Sequence, residues 1–154
     1  MNAIKIVLFI IFFVYEQSTY SINDLINYLQ ESGYYDVILQ LKIYFGNDVA
    51  ISFCQEIVES SDCERIVIVY MPSKYIKPHN PLILDEIINN LKIKPSDEFL
   101  EKINNLIGQY DELNYITDFI KMILTIYDFL IENMKEKEIL DLIKKMIQKM
   151  TIKN

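Results

Sequence analysis

Apolar residues recur at helical spacing along nearly all of the chain beyond residue 20. Ser21 precedes Ile22, Leu25, Ile26 and Leu29, an i, i+3, i+4, i+7 set headed by an N-capping residue, and the segment stops before Gly33. Val37, Ile38, Leu41 and Phe45 form a second face, closed by Gly46 as a C-terminal cap. Asp48 opens a third stretch with Val49, Phe53 and Ile57, flanked by Ala50, Cys54 and Val58, and Ser60, Ser61 and Asp62 interrupt it. Leu84, Ile87, Ile88 and Leu91 predict a helix that ends before Pro95. Ser96 then caps another, with Phe99, Leu100, Ile103, Leu106 and Ile107 on one side and Gly108 at its exit. From Leu113 the pattern continues through Ile116, Phe119, Ile120, Ile123, Leu124, Tyr127 and Leu130. A last helix over about residues 136–150 sets Ile139, Leu142, Ile143, Met146 and Ile147 against a lysine-rich face. The expected fold is all-α: about eight short amphipathic helices around an apolar interior.

Three segments interrupt this pattern. Residues 66–70 read IVIVY, a β-branched run that propensity alone assigns to a strand. Pro72, Pro78 and Pro81 make residues 71–81 a loop between two halves, and it contains the lone histidine, His79. Residues 6–15 (IVLFIIFFVY) are an unbroken apolar run behind Lys5, shorter than the ~20 residues that span a bilayer. Followed by Gln17, Ser18 and Thr19, the run reads as a secretory signal peptide over residues 1–20, cleaved between Ser18 and Ser21, in place of a buried strand or a retained anchor. Residues 21–154 then form one helical domain. Removing the leader takes away Lys5 and Glu16, so the net charge is unchanged.

Composition narrows the function classes. The chain has 154 residues, 51% of them hydrophobic, enough apolar surface to argue against intrinsic disorder. With 15 Lys+Arg against 22 Asp+Glu the formal charge is −7, and Arg65 is the sole guanidinium, which argues against nucleic acid as a partner. Three glycines leave no glycine-rich phosphate loop, and one histidine leaves no histidine metal cluster, so neither a cofactor nor a metal is expected. No G-x-S-x-G nucleophile motif occurs, His79 reads as a solvent-exposed loop residue, and no catalytic residue is assigned: the chain is not expected to be an enzyme. Secretion would place Cys54 and Cys63 where a disulfide persists; the alternative is two small buried apolar side chains. N-glycosylation is not expected, because no N-x-[ST] sequon is present.

The order and punctuation of the helices resemble the insect allergen-related repeat family, the group containing the major cockroach allergen and secreted midgut microvillar proteins. The family's Tyr-Leu-x-x-Asp helix end has a counterpart in Tyr44-Phe45-Gly46-Asn47-Asp48, followed by Ser60 to Cys63, by Glu64, Ile66 and Val67, and by Met71-Pro72 in place of Leu-Pro. Glu98-Phe99-Leu100, Ile103, Leu106, Ile107 and Gly108 are similar to the family's closing helix, and residues 116–147 to the start of a further module. The chain is divergent and shorter than a full two-module unit. Cys63 stands where the family has an aromatic and Cys54 where it has a small residue, which favours a paired change and hence a bridge. The resemblance also implies a helix where propensity favours a strand, over residues 62–70.

That resemblance implies a secreted lipid-binding protein, related to the digestive tract, whose helices form a shell around an apolar cavity for fatty acids or phospholipids. The candidates to line it are Leu41, Phe45, Phe53, Ile57, Ile66, Ile87, Leu91, Leu100, Ile103, Phe119, Met122, Ile126 and Leu130. The plain alternative for each is a packed core residue. Burial of an acyl chain gains about 0.8 kcal/mol per methylene, so such a carrier needs no directed polar contact and has broad specificity. The last helix's lysines read as a solvated face, their charge diluted by Glu136, Glu138 and Asp141, with contact to a membrane surface as the alternative; a homodimer that completes the cavity is a further expectation. The competing function is a secreted helical interaction protein, an immune, toxin-like or host-directed factor with a solid core and no lipid ligand.

Overall fold

The structure is a computed structural model in which residues 21–72 and 82–152 are described. The expected leader, most of the proline-rich loop and His79 lie outside these residues. Nine α-helices and no strand are found among them, as the apolar spacing predicts. The chain divides into two compact units, Met1–Lys77 and Pro78–Asn154, and the division falls inside the segment that the prolines mark.

In the first unit, α1 (Ile22–Ser32) starts where the Ser21 side chain accepts the Asn23 N–H at 3.1 Å. It ends at Gly33, whose φ of 85° is the left-handed conformation that glycine reaches without a Cβ penalty. The same residue begins α2 (Tyr34–Phe45), so the two helices are joined by a single glycine. Gly46, with φ 95° and ψ 176°, turns the chain from α2 into α3 (Asn47–Val58). That dihedral pair is closed to side-chain-bearing residues, which is why the chain needs glycine there. Glu59 takes the same role after α3 without being glycine: at φ 53° it sends its N–H back to the Gln55 carbonyl at 2.8 Å. Ser60 then accepts the Asp62 N–H on its hydroxyl, and the chain enters the short α4 (Cys63–Arg65).

The IVIVY run continues α4 as a π-helical turn, Ile66–Tyr70. The helical expectation for this segment holds, and the strand propensity is overridden. Met71 donates its N–H to the Ile66 carbonyl at 3.0 Å, the wide i→i+5 closure of a π turn. Lys42, on α2, donates from Nζ to the Val67 carbonyl at 2.7 Å and to the Met71 carbonyl at 3.4 Å, so a charged donor from a neighbouring helix meets the turn's end. Burial lowers the pKa of this lysine. Ile66 and Val67 are buried while Ile68, Val69 and Tyr70 are exposed, so the turn hides one side only. Cys54 and Cys63 form a disulfide across the α3–α4 corner, both side chains fully buried, with Cα atoms 5.7 Å apart. Leu25, Leu29, Ile38, Leu41, Phe53 and Ile57 are buried in the same unit.

The second unit contains α5 (Leu84–Asn90), α6 (Asp97–Gln109), α7 (Asn114–Thr125), α8 (Tyr127–Leu130) and α9 (Glu136–Ile152). Gly108 lies inside α6 and not at its exit, since the helix runs one residue further to the cap at Tyr110. The last helix likewise extends to Ile152, two residues past the expected end. It buries Ile139, Leu140, Leu142, Ile143, Met146, Ile147 and Met150 and leaves Lys144 and Lys145 exposed, an apolar stripe wide enough to pack on both α6 and α7.

Three helix starts in this unit share one carboxylate. The Ser96 side chain accepts the Phe99 N–H at 3.1 Å as the N-cap of α6. Its hydroxyl in turn donates to Glu136 Oε1 at 2.6 Å and its N–H to Oε2 at 2.9 Å, while the Tyr127 hydroxyl donates to Oε2 at 2.8 Å. Burial raises the Glu136 pKa, but the hydrogen bonds from the Ser96 side chain and backbone and from Tyr127 outweigh it, and the net value lies below the ordinary one. Tyr127 moves strongly upward, first because burial disfavours the phenolate and then because its proton is held by Glu136. The Tyr127 ring packs against Phe99 at 5.4 Å between centroids, so the polar junction rests on the aromatic core.

Candidate functional site

A half-open cleft of about 300 Å³ lies in the second unit. One wall is the chain entering and forming α5, with Leu82, Ile83, Glu86, Ile87, Asn90 and Leu91; the other is the α7–α8 junction, with Thr125 and Asp128. Its volume is at the lower end of the range of about 300–1,000 Å³ for small-molecule sites.

The wall that α5 supplies follows from its sequence. In seven residues it half-buries Leu84, Ile87 and Ile88 and leaves Asp85, Glu86, Asn89 and Asn90 exposed, so the cleft wall takes one aliphatic side chain from the helix, Ile87, between the polar Glu86 and Asn90; none of the helix's side chains is fully buried. A helix this short has little stability of its own, and so its position depends on what holds its ends. Lys94 reaches back from beyond the helix to donate to the Ile88 and Asn89 carbonyls, each at 3.1 Å, the first of which also accepts the Leu91 N–H at 3.2 Å. Asp128 accepts the Lys92 N–H on Oδ2 and the Ile93 N–H on Oδ1, both at 3.0 Å. The carboxylate at the cleft rim therefore also fastens the turn after α5 to α8. Thr125 turns its hydroxyl toward its own helix, donating to the Met122 carbonyl at 2.6 Å.

Of the thirteen cavity candidates, Ile87 and Leu91 line this cleft. Leu41, Phe53, Ile57 and Ile66 are buried in the first unit, and Ile103, Phe119, Met122, Ile126 and Leu130 in the second. Phe45 and Leu100 are half-buried. The candidates thus fall in both units. Leu82, Ile83, Glu86, Asn90, Thr125 and Asp128 were not among the sequence candidates. Leu82 and Ile83 follow Pro81 as an apolar pair, a signal that a helix-based reading passes over; the polar four carry no motif.

No group of three or more His, Cys, Asp or Glu suited to a metal ion is found among the described residues, and none of their helices is long and apolar enough to cross a membrane. No family model, curated protein or solved structure matches the chain.

Proposed function

We propose that this is a secreted lipid-binding protein that takes the acyl chain of a fatty acid or phospholipid into the cleft beside α5. The observation that carries the reading is the aliphatic lining of that cleft, Ile87 on α5 and Leu82, Ile83 and Leu91 at its two ends, beside a helix none of whose own side chains is buried. An acyl chain laid there would complete the burial that α5 lacks, at about 0.8 kcal/mol per methylene removed from water. The resemblance to the insect allergen-related repeat family supports the same ligand class and a role in the digestive tract. The Cys54–Cys63 disulfide supports secretion, since such bridges persist in oxidising compartments.

Protein purified without detergent should release fatty acids or phospholipids into an organic extract, identified by mass spectrometry, and should take up a fluorescent acyl-chain lipid. A lipid-free extract together with no uptake would remove the carrier function.

A second reading, an interaction protein with a solid core, is favoured by the π turn. Ile68, Val69 and Tyr70 are 47%, 65% and 39% exposed in succession, an apolar patch suited to a protein partner or a second copy. Sedimentation of the wild type and of Val69→Asp over a range of concentrations tests it; a monomer in both cases counts against self-association.

A further inference from the structure

Two carboxylates, Glu86 and Asp128, stand on the cleft, and none of its lining residues is a lysine or arginine. Asp128 is fixed in place by the Lys92 and Ile93 N–H groups, with one hydrogen bond to each oxygen. Each oxygen keeps a further lone pair for a cation. Glu86 is exposed and forms no ion pair among the described residues. A free fatty acid seated with its chain against Ile87 and Leu91 would set its carboxylate beside two of like sign, on a chain that already carries a charge of −7. Resting on the acyl-chain reading of the cleft, we infer that its preferred ligand is a single-chain amphiphile with an ammonium head, of the choline-lipid kind, in preference to a free fatty acid. The aliphatic wall takes the chain, and the rim carboxylates take the charge.

The test is titration calorimetry of the full chain at low salt with dodecyltrimethylammonium, dodecanol and dodecanoate, the two ions below their micelle concentrations and the alcohol below its solubility limit. The expected order is ammonium, then alcohol, then carboxylate, with about a tenfold difference between the charged probes that shrinks as salt is added. Glu86→Gln should narrow that difference. Glu101→Gln, which makes the same charge change on the exposed face of α6 away from the cleft lining, should leave it intact. Equal binding of the two charged probes, a preference for dodecanoate, or an equal effect of both substitutions would overturn the head-group preference and leave the lipid reading standing. Failure of all three probes to bind would overturn both. Circular dichroism of each variant confirms that the helices are retained.

Discussion

Ser96 and Glu136 start two different helices and hold each other: the Ser96 hydroxyl and N–H both donate to the Glu136 carboxylate, at 2.6 and 2.9 Å, from 40 positions away. Glu136→Gln removes one acceptor oxygen and turns an NH2 group toward the donors. The expected loss of stability is about 1–2 kcal/mol at neutral pH, read from urea unfolding. Because the folded pKa of Glu136 is depressed, its contribution is present above the ordinary value of 4.5 and lost as pH falls from there through the folded value. The gap between wild type and variant should therefore shrink when the experiment is repeated at about pH 3. A gap of constant size would show that the carboxylate charge is not what holds the junction.

Asp128→Ala should release the turn after α5. The amides of Lys92 and Ile93 lose their acceptor, and their hydrogen exchange should accelerate well before that of the α9 core. If both amides exchange as slowly as in the wild type, the carboxylate is not the fastener.

Lys42→Met keeps the aliphatic stem and removes the donor to Val67 and Met71. Charged hydrogen bonds are worth about 1.5–3 kcal/mol, offset here by relief of the desolvation that lowers the lysine's pKa, so a net loss of about 1 kcal/mol is expected. The local sign is faster exchange at the Met71 amide, which closes the π turn.

The Cys54–Cys63 bridge spans a sequence separation of 9. The chain-entropy relation gives about 2–3 kcal/mol for a loop of this size, so the double variant Cys54→Ala/Cys63→Ala should unfold at lower denaturant by that amount. With both sulfurs fully buried, reductant alone should act slowly on the native protein and quickly once denaturant is present.

Much of the fold was legible because local chemistry and tertiary structure agree at the helix ends. Ser21, Gly33, Gly46 and Ser96 each mark a boundary, for reasons contained in one residue and its next few neighbours. The IVIVY segment was ambiguous because its β-branched side chains favour a strand, whereas its conformation is fixed by contacts with α2 and α3 and by Lys42, 25 positions earlier. Glu59 gave no sign of its left-handed conformation, since a glutamate there is held by the surrounding structure and not by its own preference. The cleft was the least legible feature. Ile87 and Leu91 follow the helical period, but Asp128 joins them through a fold-level contact 35 and 36 residues away, which no spacing rule encodes.

The corner between α3 and α4 has one more consequence. Gln55, Glu59 and Ser61 are the exposed residues of the stretch between the bridged cysteines, and the last two lie outside the helices, a ready place for a peptidase to nick the chain. A cut between Cys54 and Cys63 leaves the two fragments covalently tied, with the sulfurs out of reach in the core. In a fluid rich in peptidases, the first scission there would leave the molecule in one piece.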